Sequence, residues 1–86
     1  MTERDHLLLE LKQIVVDECE RDVDPASIDD DAPLIGHDSA LDLDSLDALQ
    51  IALAVGKRYG KPIKGSRESR RILRSINTLA DHVQNS

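Results

Sequence analysis

The helix that organises this chain is expected in the stretch DSLDALQIALAVGKRYG, residues 44–60. Asp44 is placed to cap it, and Asp47 lies in the first turn, where a carboxylate favours the helix dipole. Gly60, followed by Pro62, signals the end of the helix. Two adjoining apolar stripes run along it, and we expect both to face the interior of a helical bundle, with Leu46 pointing back into that bundle. The first stripe consists of Leu46, Leu49 and Leu53, and the second of Ala48, Ala52, Val55 and Tyr59.

Three further helices are predicted around this one. Apolar residues at spacings of three and four indicate a helix over 5–20, ending before Pro25. A short helix is expected over 66–73, capped by Ser66, and an amphipathic helix over 76–83, capped by Ser75. No segment has the alternation of a strand. The sequence therefore predicts an all-α, four-helix bundle of three main helices and one short helix, forming a single domain over residues 1–86.

A long loop is expected between the first and second helices. Residues 21–44 are rich in Asp, Ser, Pro and Gly, and a loop of this length in a small domain is often functional. Isolated apolar residues along it should pin the loop onto the helices. These residues are Val23, Ile28, Leu34, Ile35, Leu41 and Leu43.

Length and composition exclude several classes of function. A chain of 86 residues builds only a thin core, with no room for a separate cofactor domain. The absence of Phe and Trp, with Tyr59 as the single aromatic residue, disfavours binding of single-stranded nucleic acid by base stacking. The apolar runs are too short to span a bilayer, the N-terminus has no signal-like pattern, and Cys19 has no partner for a disulfide. We therefore expect a reduced, cytoplasmic, monomeric protein that does not insert into membranes.

The net charge of −6 conceals an asymmetry along the chain. Residues 1–47 contain fifteen Asp or Glu and three Lys or Arg, whereas residues 48–86 contain two and eight, giving balances of −12 and +6. The two ends of the domain are therefore expected to present opposite potentials to partners.

Candidate catalytic and metal-binding residues are few. The three histidines, His6, His37 and His82, lie in different segments without metal-ligand spacing, and we expect them at the surface. Cys19 follows Val15 by four residues and is expected in the core. The acidic run of residues 29–31 lacks the spacing of a calcium loop and is interpreted as a solvated face with helix caps. The sequence predicts no catalytic residue and no metal site.

One constellation is more specific: Leu43-Asp44-Ser45-Leu46-Asp47, where the acidic loop meets the strongest helix. A serine in the first turn of a helix holds its hydroxyl near unpaired N–H groups and the positive end of the dipole, so a phosphate ester there is favourably placed. The simpler interpretation is that Asp44 and Ser45 only start a helix. Ser39 also follows an aspartate but precedes no helix, and we expect it to bond locally within the loop.

The wider context of this motif resembles the acyl carrier protein family. The resemblance rests on the stretches DAPLIG (31–36), LDLDSLDAL (41–49), RYG (58–60) and SINTLADHV (75–83), which together extend over nearly the whole chain. It implies that Ser45 accepts 4′-phosphopantetheine from coenzyme A, and that the thiol of this arm carries acyl groups as thioesters. The implied partners are a phosphopantetheinyl transferase, an acyl-loading enzyme, and a ketosynthase with other acyl-processing enzymes. Asp44, Leu46 and Asp47 are the residues expected to contact them.

The sequence departs from primary fatty-acid carriers at several positions. Asp42 stands where they commonly have glycine, and Gln50, Gly56, Lys57 and Arg58 stand where their second helix is rich in glutamate. Partners that bind an acidic helix should therefore bind this chain poorly, apart from contacts to Asp44 and Asp47. The short third helix adds more positive charge, at Arg67, Arg70, Arg71 and Arg74. The pattern is similar to specialised carriers, such as those of aryl polyene or other secondary lipid pathways.

Two alternatives remain open. A standalone peptidyl or aminoacyl carrier would use the same prosthetic group with a different cargo. An unmodified helical interaction module would use its charge asymmetry to bind proteins, and would keep its function when Ser45 is replaced by alanine. Binding of nucleic acid through the arginines is disfavoured by the acidic balance and the missing aromatic residues.

Overall fold

Four α-helices and one 3₁₀ turn make up the computed structural model of the chain, which describes residues 2–35 and 43–85. The helices are α1 (Glu3–Glu18), α2 (Ser45–Tyr59), α3 (Ser66–Ile72) and α4 (Ile76–Asn85), with the 3₁₀ turn at Pro25–Ser27. Within the described residues there is no strand, and an isolated parallel bridge joins Ile35 to Leu43. The predicted all-α bundle with a long gap between its first two helices is confirmed.

The helix ends follow from local capping. Thr2 and Asp5 form a reciprocal capping box, so α1 begins two residues before the predicted start. It ends at Glu18 rather than Glu20, because Glu20 has a positive φ of 52°. At α2 both predicted caps are confirmed: Asp44 caps the start, and Gly60 ends the helix in the left-handed conformation with φ 66°.

The two C-terminal helices differ from the prediction in smaller ways, and α4 continues to Asn85 rather than ending at Val83. α3 ends at Ile72, and its cap is Gly65, with φ 81°, rather than Ser66, because the helix already includes Ser66. For α4 the predicted cap is confirmed, since the Ser75 hydroxyl accepts from the N–H of Thr78 and the Thr78 hydroxyl accepts from the N–H of Ser75.

One hydrophobic core lies between the helices. α1 and α3 each pack against both α2 and α4. Residues from all four helices are buried there, among them Leu11, Val15, Ile51, Val55, Ile72, Ile76 and Leu79. As predicted, Cys19 is buried too, at the end of α1. Ile51 lies in neither predicted stripe, yet it is the residue by which the middle of α2 enters the core.

The prediction that Leu46, Leu49 and Leu53 face the bundle interior is wrong. These side chains are 61%, 54% and 64% exposed. The helices on either side of α2 cover the sector around Ile51 and Val55, and the sector that carries the three leucines lies opposite. Their stripe is therefore an apolar surface.

Parts of the long loop are pinned to the helices, as expected. Ile28, Leu34 and Leu43 are buried, and the loop backbone donates from Leu34 to the carbonyl of Arg74 at 3.2 Å. The carbonyl of Asp30 accepts from the N–H of Asn77 at 2.9 Å. Val23, however, is 37% exposed, because it lies between the end of α1 and the 3₁₀ turn rather than over the core. Leu41 lies outside the described residues.

Candidate functional site

Ser45 is the first residue of α2, and its side chain is exposed. The backbone around it is held by a reciprocal capping box. Asp44 Oδ1 accepts from the N–H of Asp47 at 2.9 Å, and Asp47 Oδ2 accepts from the N–H of Asp44 at 3.3 Å. The bond from the Asp47 N–H lowers the pKa of the Asp44 carboxyl below its ordinary value. Ser45 is thus presented on a fixed turn, although the Asp47 N–H is already taken by Asp44 rather than left for a phosphate ester.

The start of α2 is also tied to the end of α1. Arg21 Nη2 lies 3.2 Å from Asp47 Oδ2, the oxygen that completes the capping box. This pair joins residues 26 positions apart, so sequence periodicity could not reveal it. Both carboxylates beside Ser45 are therefore already engaged within the chain.

A second polar cluster fixes the other end of α2 to α1. Glu10 Oε1 accepts from Arg58 Nε at 3.0 Å and from the hydroxyl of Tyr59. Arg58, and after it Tyr59, lower the pKa of the Glu10 carboxyl. Burial, and after it Glu10, raises the pKa of Tyr59 to about 12. These contacts explain Arg58 as a structural residue of the α1–α2 packing.

An apolar groove of about 410 Å³ opens beside Ser45, between α2 and α3. Ser69 and Arg70 border it from α3, and Arg70 is exposed. The remaining lining is mostly aliphatic, from Ile35, Ala48, Leu49, Ala52, Leu53 and Ile63. The structure thereby brings Ser45, two of the exposed leucines and one of the predicted basic residues of the short helix to one place.

Gly56 explains how the segment after α2 reaches this groove. A Cβ at Gly56 would lie 3.3 Å from the Cα of Pro62, closer than most such contacts. Glycine therefore lets the chain turn back along α2, and Ile63 and Gly65 take their places in the lining. The sequence alone shows Gly56 only as one of the positions where α2 differs from the glutamate-rich second helix of primary fatty-acid carriers.

The remaining candidate residues lie apart from Ser45 or outside the described residues. His6 is exposed, and Nε2 of the partly buried His82 lies 3.0 Å from the carbonyl oxygen of Lys61. The acidic run is more engaged than predicted: Asp30 pairs with Lys12 at 2.6 Å, and Asp31 accepts from Asn77 at 2.5 Å. In the described part of the chain, no three His, Cys, Asp or Glu side chains are arranged to hold a metal ion. His37, Ser39 and Asp42 fall outside it.

Cys19 is enclosed near the start of α2 and does not reach the surface. Its side chain is buried, and this burial, with a smaller contribution from Asp47, raises the pKa of the thiol to about 11. A buried thiol with so little thiolate at neutral pH is a poor nucleophile.

No protein-family model matches the chain, and among curated proteins there is no significant match. None of the helices within residues 2–35 and 43–85 is both long and apolar enough to cross a membrane.

Proposed function

We propose that this chain is a carrier protein and that Ser45 is the attachment point of a 4′-phosphopantetheine arm. The observation that carries the proposal is the position of Ser45: an exposed hydroxyl on the first turn of α2 that borders an apolar groove. The sequence resemblance to acyl carrier proteins singles out the same residue.

The residues around Ser45 fit such an attachment. The capping box holds residues 44–47 in one backbone conformation, so that the serine hydroxyl projects from a rigid position. Arg70, which borders the same groove, favours an anionic ester, while the aliphatic lining suits the neighbouring uncharged chain. When bound, the arm supplies a terminal thiol that holds acyl groups as thioesters.

The chain's own part in the attachment is that of a nucleophile presented to another enzyme. The Ser45 oxygen forms a bond to the phosphorus that bears the pantetheine in coenzyme A, and the pyrophosphate bond breaks. The adenosine bisphosphate leaves, and the serine proton passes to a base on the transferase. No base of the chain itself is required, so the protein is proposed as a substrate and carrier rather than an enzyme.

The proposed cargo is an acyl intermediate of fatty-acid, polyketide or aryl-polyene type, passed among a loading enzyme, a ketosynthase and other acyl-processing enzymes. We place this activity in the cytoplasm and assign it to a monomer that binds no nucleic acid. An aminoacyl or peptidyl cargo would use the same serine and differ only in the loading enzyme.

A second function, an unmodified protein-interaction module, is favoured by the three exposed leucines of α2. Monomeric proteins seldom expose a contiguous apolar patch without a use for it. The two functions differ in their dependence on Ser45, because an interaction module does not need the hydroxyl.

The test is the intact mass of the chain after incubation with coenzyme A and a broad-specificity phosphopantetheinyl transferase. We expect a gain of one phosphopantetheinyl group in the wild type and none in Ser45→Ala. Ser69→Ala is the matched control, because it removes another hydroxyl that borders the same groove, and it should be modified like the wild type. Absence of any gain in folded wild type, beside a known carrier that is modified, would contradict the proposal.

A further inference from the structure

The lysines and arginines of the chain, apart from Lys61, fall into two groups that differ in their partners. On the α1 side, Arg4, Lys12 and Arg21 pair with aspartates, and Arg58 pairs with Glu10. On the α3 side, Arg71 pairs with Glu68 within its own helix. Five further cations, in the last turn of α2, on α3 and in the segments that flank α3, form no ion pair with another described residue; they are Lys57, Lys64, Arg67, Arg70 and Arg74.

Several of these free cations share a face with the exposed leucines. Arg70 and the leucines Leu49 and Leu53 border the same groove, so α2 and α3 contribute to one surface. Lys57 follows Leu53 by one helical turn, and Arg67 precedes Arg70 by three residues, so each lies beside its neighbour on the helix surface. We name this surface the Leu–Arg face and define it as Leu46, Leu49, Leu53, Lys57, Arg67 and Arg70.

The acidic residues next to Ser45 do not neutralise this face. Asp47 is bonded to Arg21 and to the N–H of Asp44, and Asp44 is bonded to the N–H of Asp47. The charge of Asp47 is therefore offset by Arg21, whereas Asp44 stays negative. Against this one carboxylate stand Lys57, Arg67 and Arg70, so the net charge of the face is positive and lies around an apolar centre.

We infer that the enzymes acting on Ser45 dock on the Leu–Arg face through an apolar patch rimmed by aspartates and glutamates. This inference rests on the proposed function, since an enzyme must approach Ser45 to act on its arm, and Ser45 borders the groove that lies within this face. An acidic rim is attracted by the free cations, whereas a basic rim would bring like charges together around the leucines. The apolar centre with a charged rim is the usual arrangement of a protein interface.

A lipid bilayer fits the Leu–Arg face less well than an acidic protein surface does. The chain has no Trp or Phe, the residues that favour the membrane interface, and its net charge of −6 opposes approach to an anionic surface. An acidic protein surface fits both the cations and the leucines.

The experiment uses two forms of one broad-specificity phosphopantetheinyl transferase. The first has a basic rim around its active site, and in the second those lysines and arginines are replaced by glutamate. Modification of Ser45 is followed by intact mass, and kcat and KM are measured for each form. We expect both forms to modify the chain, with a KM lower by about tenfold for the acidic-rim form and similar kcat. Raising the salt concentration should erase the difference.

Variants test whether the lower KM of the acidic-rim transferase depends on the Leu–Arg face. Arg67→Gln with Arg70→Gln should abolish the preference for the acidic rim. The control is Ala26→Glu with Gln84→Glu, which makes the same change in net charge at exposed positions away from the face and should keep the preference. Circular dichroism of each variant checks that the helices are intact.

The outcomes separate the inference from the proposed function. Modification with preference for the basic rim, or a preference that the arginine variant leaves unchanged, overturns the docking inference alone. Failure of both forms to modify folded protein overturns the proposed function and the inference with it. Co-sedimentation with phosphatidylglycerol vesicles, lost in the arginine variant and accompanied by no preference between the two transferases, would assign the face to a membrane and overturn the inference.

Discussion

The two sides of α2 differ in how far the rest of the chain covers them. Toward α1, Ile51 and Val55 are fully buried, and Arg21 and Glu10 bind polar side chains at the two ends of the helix. Toward α3 and solvent, three leucines are exposed, and an apolar groove opens beside Ser45. On the α1 side the cations are paired within the chain, whereas on the other side Lys57, Arg67 and Arg70 form no ion pair with another described residue and three leucines are exposed. The first side therefore contributes most of the packing in the core, and the second is the side that we propose for binding.

The largest expected effect is in the rate at which thiols react. A thiol on the buried α1 side should react slowly, and one attached on the side toward α3 and solvent should react rapidly. In the unmodified protein Cys19 should react slowly with a disulfide-exchange reagent, because it is buried and its pKa is raised to about 11. After loading from coenzyme A, one rapidly reacting thiol per chain should appear. Ser45→Ala, treated identically, should gain none. Rapid reaction of Cys19 in folded, unmodified protein would show that the α1 side is open.

Substitutions on the two sides of α2 should differ in their effect on the free energy of unfolding. Ile51→Ala is expected to reduce the free energy of unfolding by about 2–5 kcal/mol, because it leaves a cavity in the core. Leu53→Ala, the matched aliphatic truncation on the exposed side, should change it by less than about 0.5 kcal/mol. Urea unfolding followed by circular dichroism measures both. Equal losses would mean that Leu53 is packed and that the contrast between the two sides is wrong.

The bounds of α2 could be predicted because they depend on local chemistry. Asp44, Asp47 and Gly60 act within one turn of the helix ends, and their effect can be read without knowing the rest of the fold. The place of Ser45 at that helix start could be predicted for the same reason, but its choice as the candidate site rests on the resemblance of the wider sequence to acyl carrier proteins.

The direction of the leucines could not be predicted from the same residues. Both apolar stripes satisfy helical periodicity, and the choice between them depends on where α1 and α3 lie, which the local pattern does not contain. The pairs Arg21–Asp47 and Arg58–Glu10 join residues 26 and 48 positions apart, so they too follow from the tertiary fold. The groove arises from the same long-range packing.

Titration of Tyr59 tests the packing between α1 and α2. As the single tyrosine in a chain without Trp, it is reported directly by tyrosinate absorbance. In the folded protein it should titrate near pH 12, against an ordinary value of 10.0, because burial and Glu10 disfavour the anion. The unfolded chain loses this proton first, so Tyr59 should lower stability as the pH rises from about 10 to about 12.

Glu10→Gln provides the test of the cause. It should lower the pKa of Tyr59 only part of the way toward 10, because burial, the larger cause, remains, whereas Glu18→Gln, a matched change on the same helix, should leave that pKa as in the wild type. An ordinary pKa for Tyr59 in the folded wild type would contradict the Glu10 contact.

The smallest expected effect is at the cap of α2. Asp44→Ala should lower the urea midpoint slightly, and Asp44→Asn should lower it less, since asparagine also caps helices. Because the pKa of Asp44 is lowered in the folded state, its stabilisation is present above the ordinary carboxyl range and lost as the pH falls through the lowered value. Asp44→Asn should therefore flatten the acid limb of the stability profile, and Asp22→Asn, at an exposed aspartate in the loop, should not.

The site of attachment tests the central claim most directly. Fragment-ion mass spectrometry of the chain, loaded from coenzyme A and digested, locates the added group to a single residue. The expected result is one phosphopantetheinyl group on Ser45, in a peptide that includes residues 44–47. A group found on another serine, or no group on a folded chain under conditions that load a known carrier, would contradict the assignment of the open side of α2 as the carrier site.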